Sequence, residues 1–90
     1  MAKTTADPAT FTREALNVTV SVESGSTDAT VSIGVSDSAG GIVYREVGTI
    51  LTAASGTDAV IIGEDVAGGY IKVAGHGAGK SVICTGGVPV

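Results

Sequence analysis

The sequence predicts an all-β fold, a small antiparallel barrel or sandwich of about seven short strands with an N-terminal arm. Three observations predict it. The 90 residues suffice for one small domain, and they include 13 Val and 7 Ile against only 2 Leu, a composition typical of strands. Apolar and polar residues alternate along several segments. Polar or glycine-rich turns separate these segments at intervals of roughly 10–12 residues.

The beginning of the chain differs from the rest, so we divide it into an arm at 1–15 and a single β-domain at 16–90. The arm holds the only Phe of the chain, Phe11. Asp7 followed by Pro8 suits the start of a short helix, but the segment after it is too short to be helical alone. We expect either a frayed terminus or an arm that becomes ordered on a partner, with Phe11 as its anchor.

The clearest strand pattern follows the arm. Residues 16–23 alternate between apolar and polar side chains over eight positions, which predicts a strand with one solvated face. Residues 29–35 alternate in the same way. Because five polar residues including a glycine join the two runs, they predict a β-hairpin.

Further strands are predicted along the second half of the chain. Residues 42–47 form one run, and Gly48 marks a bulge or a bend because strand character resumes at 49–53. Residues 59–62, Ala-Val-Ile-Ile, are continuously apolar and predict a strand buried on both faces. The last two predicted strands are 70–74 and 80–85.

One glycine-rich segment fits a loose form of the phosphate-binding P-loop pattern. Residues 74–81 read Ala-Gly-His-Gly-Ala-Gly-Lys-Ser. A P-loop needs a strand before it and a helix after it, so that backbone N–H groups face the phosphates. The residues after Ser81 are β-branched and favour a strand. We therefore predict a hairpin loop, and a small ligand-binding domain that uses Gly75–Ser81 remains a distant alternative.

No combination of reactive side chains predicts a chemistry. His76 lies in a glycine loop that gives it no rigid support, and Cys84 lies in an apolar strand, where a free Cys usually behaves as a small hydrophobe. Glu64 and Asp65 are adjacent, and adjacent side chains of an extended chain point in different directions. We expect no catalytic residues, no metal site, no cofactor and no enzymatic activity.

Charge and hydropathy narrow the possible partners. The net charge is −4 and the isoelectric point about 4.6, which disfavours nucleic acid because phosphate neutralisation dominates that affinity. No apolar run approaches the roughly 18 residues that span a membrane, and the N-terminus does not resemble a signal peptide. We expect neither nucleic acid nor membrane as a partner, and synthesis in a cytoplasm. Small side chains give a thin core, which favours oligomerisation or docking onto a larger body.

Four segments of the second half also carry a family resemblance. They are Gly-Thr-Ile-Leu at 48–51, Ala-Val-Ile-Ile-Gly-Glu-Asp-Val at 59–66, Tyr-Ile-Lys-Val at 70–73 and Val-Ile at 82–83. Over about residues 48–85 the chain resembles the capsid decoration (cement) proteins of tailed bacteriophages.

The resemblance implies a non-enzymatic virion protein that is made in the host cytoplasm and stabilises the capsid surface. Its partner would be the major capsid protein, and it would act as a homo-oligomer, with a trimer favoured. Because interfaces favour aromatic and Arg side chains, we predict partner contacts at Phe11 and Arg13 in the arm and at Tyr44 and Arg45 on a strand. The alternative is another virion β-module, such as a tail, fibre or head-fibre component.

Overall fold

The computed structural model describes residues 2–23, 25–51 and 59–90. Within these residues the chain forms nine strands and no helix, so the all-β prediction is confirmed. The strands are β1 (Ala2–Thr4), β2 (Ala9–Arg13), β3 (Val18–Val22), β4 (Ala29–Ser36), β5 (Ile42–Ile50), β6 (Ala59–Ile62), β7 (Tyr70–Ala74), β8 (Val82–Thr85) and β9 (Gly87–Pro89).

These strands build a sandwich of two antiparallel sheets. The four-stranded sheet has the order β1-β8-β3-β6, and the five-stranded sheet has the order β5-β4-β7-β2-β9. At the sheet edges β1 adjoins β9, and β5 adjoins β6. The core fills the space between the sheets, so each strand points alternate side chains inward.

The core consists mainly of small and β-branched side chains. Alternate residues of β3 and of the first part of β4 are buried, as their sequence patterns predicted. Phe11 is the only Phe, Tyr or Trp side chain among the described residues that are buried. The buried apolar residues are Ala9, Phe11, Val18, Val20, Val22, Ala29, Val31, Ile33, Ile50, Ile62, Ile71, Val73, Val82 and Cys84.

The predicted N-terminal arm is wrong. Residues 2–13 supply β1, which pairs with β8, and β2, which lies between β7 and β9. Phe11 is 0% exposed and pairs with Ile71 on one side and Pro89 on the other. The short alternation in β2 has only Ala9 and Phe11 as apolar members, which makes its period of two hard to recognise. Residues 2–13 therefore belong to the two sheets, and the predicted boundary at residue 16 does not hold.

The predicted hairpin between 16–23 and 29–35 is also wrong. β3 pairs with β6 and β8, whereas β4 pairs with β5 and β7 in the other sheet. The loop between β3 and β4 therefore crosses from one sheet to the other. Leu16 precedes β3 and is 66% exposed. Alternation identifies the inward face of each strand, but it does not choose the partner strand.

The remaining strand predictions have mixed outcomes. The bulge at Gly48 is confirmed: Val31 pairs with Gly48 and Ser32 with Glu46, which leaves Val47 as the extra residue. Burial of 59–62 on both faces is wrong, because Ile61 is 72% exposed on the outer face of the edge strand β6. The predicted strand positions 52–53 lie outside the described residues.

The β4–β5 hairpin extends past the rest of its sheet. β4 pairs with β7 only as far as Gly34, and beyond that point it pairs with β5 alone. Residues 35–43, which we call the hairpin tip, expose Val35 by 46%, Ile42 by 42% and Val43 by 55%. The chain is accordingly elongated, with extents of 41 × 23 × 21 Å.

Candidate functional site

The turn of the hairpin tip is held by one carboxylate. Oδ1 of Asp37 accepts hydrogen bonds from the N–H of Ala39 at 2.9 Å and of Gly41 at 2.8 Å. The N–H of Asp37 donates to the carbonyl of Gly41 at 2.9 Å. Gly40 has a φ of 86°, which favours glycine. These bonds give the projecting tip a defined shape.

The outer face of the hairpin base carries two tyrosines. The register places Tyr44 and Tyr70 on either side of Gly34. A Cβ on Gly34 would lie 2.7 Å from both Cε1 of Tyr44 and Cγ2 of Ile42, so both side chains cover the glycine backbone. Nζ of Lys72 lies 5.1 Å from the centroid of the Tyr44 ring, within range of a cation–π interaction. Tyr44, a predicted contact residue, is thus half-buried and takes part in packing the sheet surface.

The opposite face of the hairpin is apolar with one cation. Val35 and Val43 pair directly and continue the inward face of β4 beyond the core. Arg45, another predicted contact residue, pairs with Ile33 on that face and is exposed, with no ion pair to any described residue. β5 is the outermost described strand of its sheet, and no strand among the described residues pairs with the outer edge of 42–46, so this backbone offers a free edge to a further strand.

Arg13 has a different role from the predicted one. All five of its N–H groups donate to backbone carbonyls, which uses every donor that a guanidinium has. The acceptors are Ala15 (3.0 Å), Leu16, Gly63 (2.9 Å), Val66 (2.6 Å) and Gly68 (3.1 Å). Arg13 therefore ties two loops together and has no N–H left for a partner. Phe11 is buried in the core, so its prediction as an exposed contact is wrong.

The glycine-rich loop is bound by the N-terminal segment. Oδ1 of Asp7 accepts the N–H of Gly75 at 3.1 Å, and Oδ2 accepts the N–H of Gly77 at 3.1 Å. The N–H of Gly79 donates to the carbonyl of Thr5 at 3.0 Å. The strand β8 follows the loop, as the sequence predicted. The backbone N–H groups that a phosphate would need are thus used by a carboxylate of the chain itself.

His76 is firmly held, contrary to the prediction of a loop without support. Its side chain is buried, and Nε2 lies 2.7 Å from the carbonyl of Ala6. Since a carbonyl oxygen only accepts, Nε2 donates this bond. Nδ1 lies 3.9 Å from Oδ1 of Asp7. His76 and Asp7 together fasten the turn between β1 and β2 onto the loop between β7 and β8.

The other reactive side chains are not arranged for chemistry. Burial raises the pKa of the Cys84 thiol to about 11, so it stays protonated at neutral pH and is a poor nucleophile. Glu64 and Asp65 lie exposed in the turn between Gly63 and Val66. Among the described residues, no group of His, Cys, Asp and Glu is placed to hold a metal ion. No helix long and apolar enough to cross a membrane occurs in those residues.

Comparison of the sequence with protein-family models, with curated proteins and with solved structures gives no match. The function must therefore be argued from the residues of this chain. Two features were missed at the level of sequence. The Asp7 contacts join residues 68 and 70 positions apart, and no local pattern indicated them. Asp7 followed by Pro8 suggested the start of a short helix, whereas the strand β2 follows them. The exposed hairpin tip depends on the register in which β4 pairs with β7, which no local pattern reveals.

Proposed function

We propose that this chain is a non-enzymatic structural protein of a virion, of the capsid-decoration type, that binds and stabilises the capsid surface. The observation that carries the proposal is the projecting β4–β5 hairpin. Its tip exposes three apolar side chains, Val35, Ile42 and Val43, on a two-stranded ribbon outside the sandwich. Val35 and Val43 lie side by side on one face of the ribbon, and Ile42 lies on the other. Such side chains are normally buried, and their exposure on a projecting ribbon is typical of an interaction surface.

The hairpin offers a partner four kinds of contact. The free edge of β5 supplies backbone donors and acceptors for an added strand, a mode of binding in which main-chain bonds give affinity. Val35 and Val43 supply apolar area on one face. Arg45 supplies an exposed cation beside them. Tyr44 contributes through its half-exposed ring on the other face.

The proposed partner is the major capsid protein, and the proposed assembly is a homo-oligomer, a trimer, on the capsid surface. A thin core of small side chains gains stability from burial against a larger body. Several hairpins on one oligomer would bind the repetitive capsid lattice at the same time. The oligomer would therefore bind more tightly than a single hairpin does. No acid, base, metal or cofactor is needed for this function.

Another virion β-module, such as a tail, fibre or head-fibre component, is the second candidate, because the same hairpin suits any protein partner of a particle. A ligand-binding role of the Gly75–Ser81 loop has less support, since the Asp7 carboxylate occupies the N–H groups of Gly75 and Gly77. A ligand that binds only the folded chain raises the melting temperature. We expect ATP and GTP with Mg²⁺ to leave the melting temperature unchanged.

Co-sedimentation with particles of the virus that encodes the chain tests the proposal. We expect saturable binding at a fixed ratio to the major capsid protein. A few copies per particle would instead support a tail, fibre or vertex component, and no binding would remove the virion hypothesis.

A matched pair of variants locates the binding surface. Val35→Ser with Val43→Ser removes the apolar area of one face of the hairpin tip and should weaken particle binding strongly. Ile61→Ser with Val88→Ser removes comparable exposed area, 72% and 47% exposed respectively, away from the tip and should not. Equal effects of the two pairs would contradict a role of the hairpin.

A further inference from the structure

An open cleft of about 450 Å³ lies at the end of the sandwich, between two loops. Its lining consists of Arg13, which we call the floor, of residues 14–16, which we call one wall, and of Glu64, Val66 and Ala67, which we call the other wall. The cleft is separate from the Asp7–His76 contacts and from the hairpin tip, and neither of these uses its lining residues.

The walls of the cleft are fixed by backbone hydrogen bonds. The N–H groups of Glu14 and Ala15 both donate to the carbonyl of Gly86, at 2.8 and 3.2 Å. The N–H of Val66 donates to the carbonyl of Gly63 at 3.1 Å, which closes the opposite turn. Arg13 then joins the walls to each other through its five bonds. A preformed cleft requires little ordering when it binds a ligand.

The chemistry of the cleft favours a cation with an apolar stem. Arg13 has no free N–H, so the floor cannot donate a hydrogen bond to an anion. Exposed carboxylates stand on opposite walls, Glu14 on one and Glu64 on the other. Two carboxylates against one guanidinium leave the lining with a net negative charge. Leu16, which is 66% exposed, adds apolar surface that no described residue covers.

We infer that this cleft binds a Lys or Arg side chain from an exposed basic segment of a partner protein. The aliphatic stem of that side chain packs against Leu16, as the stems of long cations do on apolar surfaces. Its charged head lies between Glu14 and Glu64 and forms charge-assisted hydrogen bonds. The inference does not depend on the proposed virion function, since any partner with such a segment would fit.

An NMR titration of the full chain labelled with ¹⁵N tests the inference. The probe is Nα-acetyl-arginine amide, and the matched control is Nα-acetyl-citrulline amide, which has nearly the same shape but no charge. We expect the arginine probe to shift the amide signals of 14–16 and 64–67 saturably at low salt, and added salt to reverse the shifts. The citrulline probe should leave them unchanged.

Three variants assign the effect to the two carboxylates. Glu14→Gln and Glu64→Gln should each weaken binding of the arginine probe about two- to fivefold, the size expected for an exposed ion pair. Glu46→Gln removes the same charge from the hairpin and should have no effect. The inference is overturned if both probes act alike, if the shifts spread beyond the cleft, or if all three variants bind equally. The absence of any shift up to the solubility limit of the probe would also overturn it.

Discussion

The strand β2 and the hairpin tip at 35–43 both combine apolar and small polar residues, but only β2 buries its apolar side chains. β2 has a partner strand on each side and the second sheet across from it, so Ala9 and Phe11 are 0% exposed. The hairpin tip has one partner strand, and Val43 is 55% exposed. The number of neighbours that the topology provides, rather than the side chains themselves, decides which segment stabilises the fold and which is available to a partner.

The most severe test of this contrast is the removal of the one aromatic side chain in the core. Phe11→Ala should destabilise the chain by about 3–5 kcal/mol, because it leaves a cavity between the sheets. Thr10→Ala, one position away on the outer face, should change stability by less than about 1 kcal/mol. Urea denaturation measures both. Equally small losses of stability in the two variants would contradict the burial of Phe11 and would support residues 9–13 as a loosely held arm.

The second test compares two arginines, one in each region. Arg13→Gln breaks most of the five carbonyl bonds and should cost about 2–4 kcal/mol, since hydrogen bonds from charged groups are the stronger ones. Arg45→Gln, on the exposed hairpin, should stay within about 0.5 kcal/mol of the parent. Thermal and urea unfolding report the difference. Comparable effects of the two substitutions would contradict the assigned roles.

The third test uses pH to ask whether Cys84, the core residue that pairs with β1, is buried. Ala2 of β1 pairs with Cys84, whose pKa burial raises from 9.0 to about 11. The folded chain therefore holds this proton more tightly than the unfolded chain, and stability falls as pH rises from about 9 through 11. The loss attributable to Cys84 is about 2–3 kcal/mol.

Cys84→Ala separates this effect from the other groups that titrate in alkali. The variant should lack the part of the alkaline loss that belongs to the thiol, so the difference in stability between parent and variant should shrink above pH 9. A constant difference across this range would show that Cys84 is not buried as the fold requires.

The fourth test concerns the attachment of the β1–β2 turn to the glycine-rich loop. Asp7→Ala removes the acceptor of the Gly75 and Gly77 N–H groups and should cost about 1–2 kcal/mol, because water can replace part of each bond. Asp7→Asn keeps one acceptor oxygen and should lose less. Amide hydrogen exchange at Gly75 and Gly77 should speed up in the Ala variant. Unchanged exchange would contradict the contact.

The smallest expected effect on stability belongs to the hairpin tip. Val43→Ser should change the free energy of unfolding by about 0.5 kcal/mol or less, since its side chain is already 55% exposed. The same substitution should weaken particle binding. A large loss of stability would mean that the tip packs against the body of the chain.

The sequence predicted the individual strands better than their arrangement. Alternation identified β3 and β4 and their inward faces, and the glycine at position 48 identified a bulge, because these signals are local. Pairing was not predictable in the same way: β3 and β4 belong to different sheets although they are adjacent in the chain. The roles of Phe11 and Arg13 follow from contacts with residues more than 50 positions away, and no local pattern encodes them.

The most direct test of the account is amide hydrogen exchange on the chain, free and bound to particles. We predict that the amides of 9–13 are strongly protected in the free chain and unchanged on binding. Those of 42–46, at the free edge of β5, should exchange quickly in the free chain and become protected on the particle. Fast exchange of 9–13 in the free chain, with protection gained only on binding, would contradict the account and restore the N-terminal segment as the docking element.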